Sequence, residues 1–143
     1  MKVKESVSPY ISRLIPGQIS QSEMLNILQT KKIDHKYLTE LKKLTRFNDE
    51  NISELLDITV KTYRSYRKPN AEYKDSMKEK ILMLSSLFKH GTEVFGTPEK
   101  FNEWLNSENF FWGGKKPATM LNTISGIKFL DDRLSGMEYG DNV

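Results

Sequence analysis

Apolar residues recur at steps of three and four along most of the chain, which is the spacing of one face of an α-helix. The longest such run covers residues 72–95, with Met77, Ile81 and Leu84 among its apolar positions. No segment of the sequence alternates apolar and polar residues as a half-buried strand does, and no internal repeat is present. The pattern therefore predicts an all-α fold.

Capping residues indicate where the predicted helices begin. Ser20 and Glu23 have the spacing of a capping box ahead of residues 24–30, and Asp34 is the predicted N-cap of a helix that ends before Asn48. The remaining helices are predicted at residues 51–56, 60–67, 72–95 and 97–106, with a short turn at 117–121 and a last helix that Thr123 caps.

Two short helices joined at Asp57 and Ile58 have the spacing of a helix-turn-helix, in which the second helix enters the DNA major groove. Residues 59–68 contain four basic side chains and no acidic one. Small polar groups near the start of such a helix can meet base edges, and cations can hold phosphates. The predicted DNA contacts are Thr59, Lys61, Thr62, Arg64, Ser65, Arg67 and Lys68. An ordinary helical hairpin with a solvated basic face is the alternative.

The charge of the chain is divided unevenly along its length. The formal net charge is +3, made up of +6 over residues 1–90 and −3 over residues 91–143. The change falls near residues 91–98, where helix-ending and helix-starting residues are concentrated. We therefore expect an N-terminal, partly helical segment (residues 1–33), a helix-turn-helix domain (34–90) and a second helical domain (91–143).

Several classes of chemistry lack the residues they need. Cysteine is absent, which removes disulfides, thiol catalysis and cysteine zinc sites, and is consistent with the cytoplasm. The only histidines are His35 and His90, each beside a lysine, so no metal site or cofactor is expected. No run of about 18 apolar residues exists, so we expect a cytoplasmic protein without a membrane span.

Adjacent acidic residues offer no acid–base pair. Asp131 and Asp132, like Asp49 and Glu50, would point about 100° apart on a helix. We expect them to be solvated or to serve as helix caps, and we expect the protein not to be an enzyme.

The stretch from Glu93 to Gly140 carries several fixed elements in order. It begins with the letters EVFG at residues 93–96, continues through Trp104 and Leu105, and closes with MEYG at residues 137–140. Between them lie Asn109, Gly113, Gly114, Pro117, Met120, Leu121, Thr123 and Gly126. In this set and order, the stretch resembles the C-terminal toxin-binding domain of the Xre/MbcA/ParS type II antitoxins. That family also has an upstream helix-turn-helix, so the resemblance extends over residues 34–140.

The resemblance implies an antitoxin that neutralises a RES-domain toxin, an NAD-consuming or ADP-ribosyltransferase-like protein, and that represses its own operon. The implied partners are that cognate toxin and operator DNA, with the antitoxin as a homodimer. Residues 138–143 are expected to follow the last helix, and the resemblance implies that this end lies near the active site of the toxin. The toxin-binding residues expected here are Trp112, Gly113, Gly114, Lys115, Pro117, Glu138, Tyr139 and Gly140.

Some features of this sequence depart from the family pattern or leave a choice open. Phe110, Phe111 and Trp112 are bulkier than the residues common before the paired glycines, and Asp57 occupies a turn position where glycine is frequent. Gly126 lies inside a predicted helix at a cost of about 1 kcal/mol relative to Ala, which indicates close packing. The alternative function is a plain dimeric transcriptional regulator whose C-terminal domain only dimerises.

Overall fold

The computed structural model describes residues 11–108 and 113–140, and this part of the chain is helical without any strand, as predicted. Residues 11–14 form a helical turn. The helices that follow are α1 (Gln21–Thr30), α2 (His35–Thr45), α3 (Asp49–Leu56), α4 (Val60–Tyr66), α5 (Asp75–Phe95), α6 (Pro98–Leu105), a 3₁₀ helix (Pro117–Asn122) and α7 (Ile124–Glu138).

The helix starts predicted from capping residues are confirmed because their capping bonds are local, whereas the helices predicted to begin at residues 51 and 72 begin at Asp49 and Asp75. The Ser20 hydroxyl accepts from the Glu23 amide at 3.1 Å, and the Glu23 carboxylate accepts in return from the Ser20 amide at 2.9 Å. Asp34 accepts from the amide two residues later at 3.1 Å, and Thr123 accepts from the Gly126 amide at 2.9 Å. Each bond satisfies a backbone donor that would otherwise have no partner at a helix N-terminus.

Helix α5 is the centre of the fold, and α2, α6 and α7 all pack against it. The middle of its apolar face is fully buried, and Phe88 makes edge-to-face contacts with Phe47 on one side and Phe101 on the other. These ring centroids lie 5.6 and 5.2 Å apart, a favourable separation for aromatic pairs. The aromatic contacts therefore join the loop after α2 to helix α6 across α5.

The expected domain boundary between residues 90 and 91 lies inside α5. Gly91 is buried there directly beneath Phe101, and a Cβ at this position would stand 2.5 Å from the ring. The buried apolar residues on both sides of the boundary form one cluster. The helix-turn-helix region and the C-terminal region thus share a helix and a core.

The N-terminal segment, for which the sequence predicts no role, packs against α5 and α7. Ile11 and Ile15 are buried, and the Lys89 ammonium on α5 donates to the carbonyls of Ser12 and Ile15 at 2.7 and 2.8 Å. Gln18 donates to Asp131 on α7 at 3.4 Å and also to a neighbouring serine of that helix. Residues 11–18 therefore support α5 and α7.

Candidate functional sites

The predicted helix-turn-helix is present as α3, a tight turn and α4. Asp57 takes a left-handed backbone conformation (φ 59°, ψ 45°), and its amide donates to the carbonyls of Ser53 and Glu54 at the end of α3. The next amide, of Ile58, donates to the carbonyl of Ser53 at 3.0 Å. This geometry is the one that glycine adopts most easily at helix ends, and an aspartate tolerates it better than most residues.

Replacing Asp57 with glycine should stabilise the protein. The left-handed conformation costs about 1–2 kcal/mol for a residue with a Cβ, and the extra flexibility of glycine in the unfolded chain offsets about half of that. We expect the free energy of unfolding to rise by about 0.5–1 kcal/mol in chemical denaturation. Glu54→Gly, in right-handed helical backbone, is the matched control and should lower it by about 1 kcal/mol. A less stable Asp57→Gly variant would contradict this reading.

The predicted DNA-contacting residues fall into two groups. Lys61, Arg64, Ser65 and Lys68 are exposed on α4 and just after it. By contrast, the Thr59 hydroxyl caps α4 through the Thr62 amide at 3.1 Å and also bonds the Thr62 hydroxyl at 3.0 Å. These two threonines therefore serve first to fix the start of α4.

Arg67 also has an internal partner. Its guanidinium donates to the Tyr63 hydroxyl at 3.1 Å and lies 5.7 Å from the centre of the same ring. Tyr63 is fully buried and Tyr66 is half-buried, as the sequence indicated. Arg67 thus covers the buried ring, while Lys61 and Lys68 have no side-chain partner within the described residues.

The expectation that Asp49 is merely solvated or a cap is wrong. One carboxylate oxygen accepts from Lys42 on α2 at 2.6 Å, and the other accepts from Arg64 on α4 at 3.1 Å. The hydrogen bonds from Lys42 and Arg64 hold the pKa of Asp49 below its usual value. Asp49 therefore links two helices of the basic region and partly neutralises Arg64. Such a long-range pairing leaves no local signal in the sequence.

The glycine loop expected to contact the toxin is partly described. Gly113 and Gly114 are exposed with positive φ angles of 65° and 82°, and Lys115 beside them is also exposed. Pro117 is instead buried at the first position of the 3₁₀ helix. Trp112 lies outside the described residues. The loop thus offers two glycines and a lysine as accessible residues, while Pro117 fixes the turn.

Gly126 packs within the domain, as its position in a helix indicated. It is buried in the first turn of α7, and a Cβ there would stand 2.0 Å from the carbonyl oxygen of Met120 in the 3₁₀ helix. No ordinary side chain fits at that distance. Gly126 therefore permits the close approach of the 3₁₀ helix to α7.

The C-terminal end of α7 differs from the expectation in one respect. Glu138 is the last residue of the helix, and not the first residue of a tail beyond it. Tyr139 follows as the C-cap with 87% of its surface exposed, and Gly140 has a positive φ of 93°. Tyr139 is the most accessible large apolar side chain in the described part of the chain.

Glu138 and Asp131 both bond His90, so the expectation that Asp131 is merely solvated or a cap is also wrong. His90 Nδ1 lies 2.7 Å from Asp131 Oδ1, and Nε2 lies 2.9 Å from Glu138 Oε1. Burial acts to lower the pKa of His90, but the hydrogen bonds with Glu138 and Asp131 outweigh it and raise the pKa above 6.5. The carboxylates lie at opposite edges of the ring and do not converge on one point. Among the described residues, no cluster could hold a metal ion.

The chemistry of both regions is that of binding surfaces. One is a basic helix after a tight turn, and the other is a helical unit with an exposed aromatic end. Among the helices described, none is both long and apolar enough to cross a membrane.

Comparison with known proteins bears on the second region. No curated protein matches the chain. Residues 90–140 match the family model described as the antitoxin Xre/MbcA/ParS C-terminal toxin-binding domain. This range coincides with the stretch that carries the sequence resemblance and includes His90, the glycine loop, the 3₁₀ helix and all of α7. This match covers about the C-terminal third of the chain and supports an antitoxin role of the Xre/MbcA/ParS type for it.

Proposed function

We propose that this antitoxin belongs to a type II system in the cytoplasm, neutralises a RES-domain toxin that consumes NAD or transfers ADP-ribose, and represses its own operon. The part of the proposal that concerns the toxin rests on the family match at residues 90–140. The DNA-binding half is supported by the basic, exposed face of α4 behind a helix-turn-helix turn.

The exposed end of the toxin-binding domain suits a nucleotide-binding partner. Residues 91–143 have a net charge of −3, and a site that binds the pyrophosphate of NAD tends to be basic. We propose that Tyr139 and Gly140 enter this site, and that Gly113, Gly114 and Lys115 contact its rim. Glu138 then acts on the toxin from the end of α7, and Pro117 acts indirectly by fixing the shape of the glycine loop. Trp112 remains a proposed toxin contact.

Co-expression with the product of the neighbouring gene, which the proposal expects to be a RES-domain toxin, tests the proposal. The two proteins should co-elute in size-exclusion chromatography, and the complex should lack the NAD-consuming activity of the free toxin. An unrelated RES-domain toxin is the control for specificity. Separate elution at micromolar concentrations, with full toxin activity, would contradict the proposal.

On the DNA side, we propose that α4 reads the operator and that two copies bind together. Helix α4 has seven residues, which is enough to contact only a few base pairs in one major groove. A homodimer would place two such helices on successive turns of the DNA. Its operator would then contain a palindrome with half-sites about 34–36 Å apart.

The double change of Lys61 and Lys68 to Ala should weaken operator binding mainly through phosphates. These residues are exposed and lack internal partners in the described structure, so each can replace one counterion on DNA. We expect the slope of log K against log salt to become shallower by up to about 2. Lys115→Ala with Lys116→Ala, in the other surface, is the matched control. An unchanged slope in a folded Lys61/Lys68 variant would remove α4 from the DNA interface.

A further inference from the structure

The side chain of His90 is only 3% exposed and lies between two carboxylates of a neighbouring helix. Asp131 and Glu138 are seven residues apart, two turns along the same face of α7. His90 projects from α5 between them, so a single imidazole spans the last two turns of α7. The contact ties the end of the toxin-binding domain to the central helix.

The protonation state of the ring follows from this geometry. A neutral imidazole carries one N–H and can donate to one carboxylate only, which leaves the other facing a nitrogen lone pair. When both carboxylates are ionised, bonds to both of them at 2.7 and 2.9 Å require the doubly protonated ring. The cation also offsets the unfavourable position of the Glu138 carboxylate at the negative end of a helix.

We propose that His90 is a protonation-dependent clamp that fixes the last turn of α7 and releases it when the ring loses a proton. Glu138 is the partner that departs, because its side chain is 38% exposed and His90 is its one hydrogen-bond partner within the described structure. Asp131 is held in addition by Gln18. That the released end carries toxin-contacting Tyr139 rests on the proposed function; the clamp itself does not.

The surroundings of the ring favour the charged form. From α7 the groups that face it are Asp131 and Glu138, and the N-terminal segment contributes the uncharged Gln18. On α5, Lys89 is directed to the carbonyls of residues 12 and 15. Helix α6 approaches α5 through Phe101 over Gly91, and within the described residues it adds no ionised group at the ring.

The sign of the pH effect follows from the raised pKa of His90. Stabilisation by the clamp is complete below the unfolded-state value of 6.5 and is lost as the pH rises through the higher folded-state pKa. The end of α7 should therefore be ordered in mildly acidic solution and frayed in alkaline solution.

Nuclear magnetic resonance on the full chain tests the clamp without any toxin. The sequence has two histidines, so His35→Gln assigns the ring signals. We expect His90 to titrate above 6.5 and the exchange protection factors of the Tyr139 and Gly140 amides to fall roughly three- to tenfold across that titration. Normalising each rate to the intrinsic exchange rate removes the direct effect of hydroxide.

The Glu138→Gln variant distinguishes a protonation-dependent clamp from packing that does not depend on charge. It keeps a polar partner of the same size at an exposed position, yet it should lower the His90 midpoint and abolish the pH dependence of protection at residues 139 and 140. Asp132→Asn, a neighbouring exposed acid, is the control and should change neither. A His90 midpoint at or below 6.5, or protection that neither pH nor Glu138→Gln alters, would overturn the clamp. Failure of toxin binding alone would bear on the proposed function instead.

Discussion

Deleting residues 139–143 should leave the antitoxin bound to its toxin while restoring most of the NAD consumption of the toxin. Tyr139 is 87% exposed and contributes little to the core, so the remaining domain should keep its fold. If the end blocks the active site, contacts elsewhere on the domain hold the complex after its removal. The complex is measured by size-exclusion chromatography and the activity by the NAD remaining after incubation.

The choice of cut matters because Glu138 belongs to α7 and bonds His90. A deletion that included Glu138 would disturb both the clamp and the end, whereas a cut after Glu138 removes the end alone. Tyr139→Phe is the matched point control and should retain full inhibition if the ring does the blocking. A truncated complex that still suppresses all NAD consumption would show that residues 139–143 do not block the active site of the toxin. Inhibition would then have to come from the glycine loop or from α7.

Gly126→Ala should destabilise the protein strongly, although the substitution favours helix formation in isolation. The helix-propensity gain is about 1 kcal/mol, whereas the new Cβ would lie 2.0 Å from a backbone carbonyl that cannot rotate away. Overpacking costs about 1–3 kcal/mol and more where backbone must shift. Because this clash exceeds ordinary overpacking, we expect a net loss of at least about 2 kcal/mol and a fall in Tm of roughly 5–10 °C.

Ser125→Ala is the control for Gly126→Ala, since Ser125 is the exposed neighbour in the same turn of α7. It should change Tm little or raise it slightly. Thermal unfolding followed by circular dichroism distinguishes the two. A Gly126→Ala variant with a raised Tm would mean that propensity dominates and that the 3₁₀ helix yields easily.

The parts of the structure that could be predicted from the sequence depend on neighbours a few residues apart. The Ser20, Asp34 and Thr59 caps act over two or three residues, and the amphipathic run that forms α5 is periodic over its own length. Even the tight turn at Asp57 was located, although the aspartate itself departs from the usual glycine.

The features that sequence reasoning missed join residues far apart in the chain. Asp131 meets His90 across 41 positions and Gln18 across 113, and neither pairing has a periodicity that could signal it. Asp131 comes close to these residues only after α7 packs against α5. For the same reason, the sequence located helix α4, which is predicted to bind DNA, but not the pairing of Arg64 with Asp49, which is on another helix.

Because α5 runs without interruption through the core that both regions share, neither region can unfold independently at that helix. A protease that captures an opened α5 would remove the proposed operator binding and the proposed toxin neutralisation in the same event. A single equilibrium, the opening of α5, would then set both how long the proposed repression lasts and how long the cell is protected from the toxin. Under the proposed function, loss of this one protein in a cell would raise transcription of the operon just as the toxin becomes free.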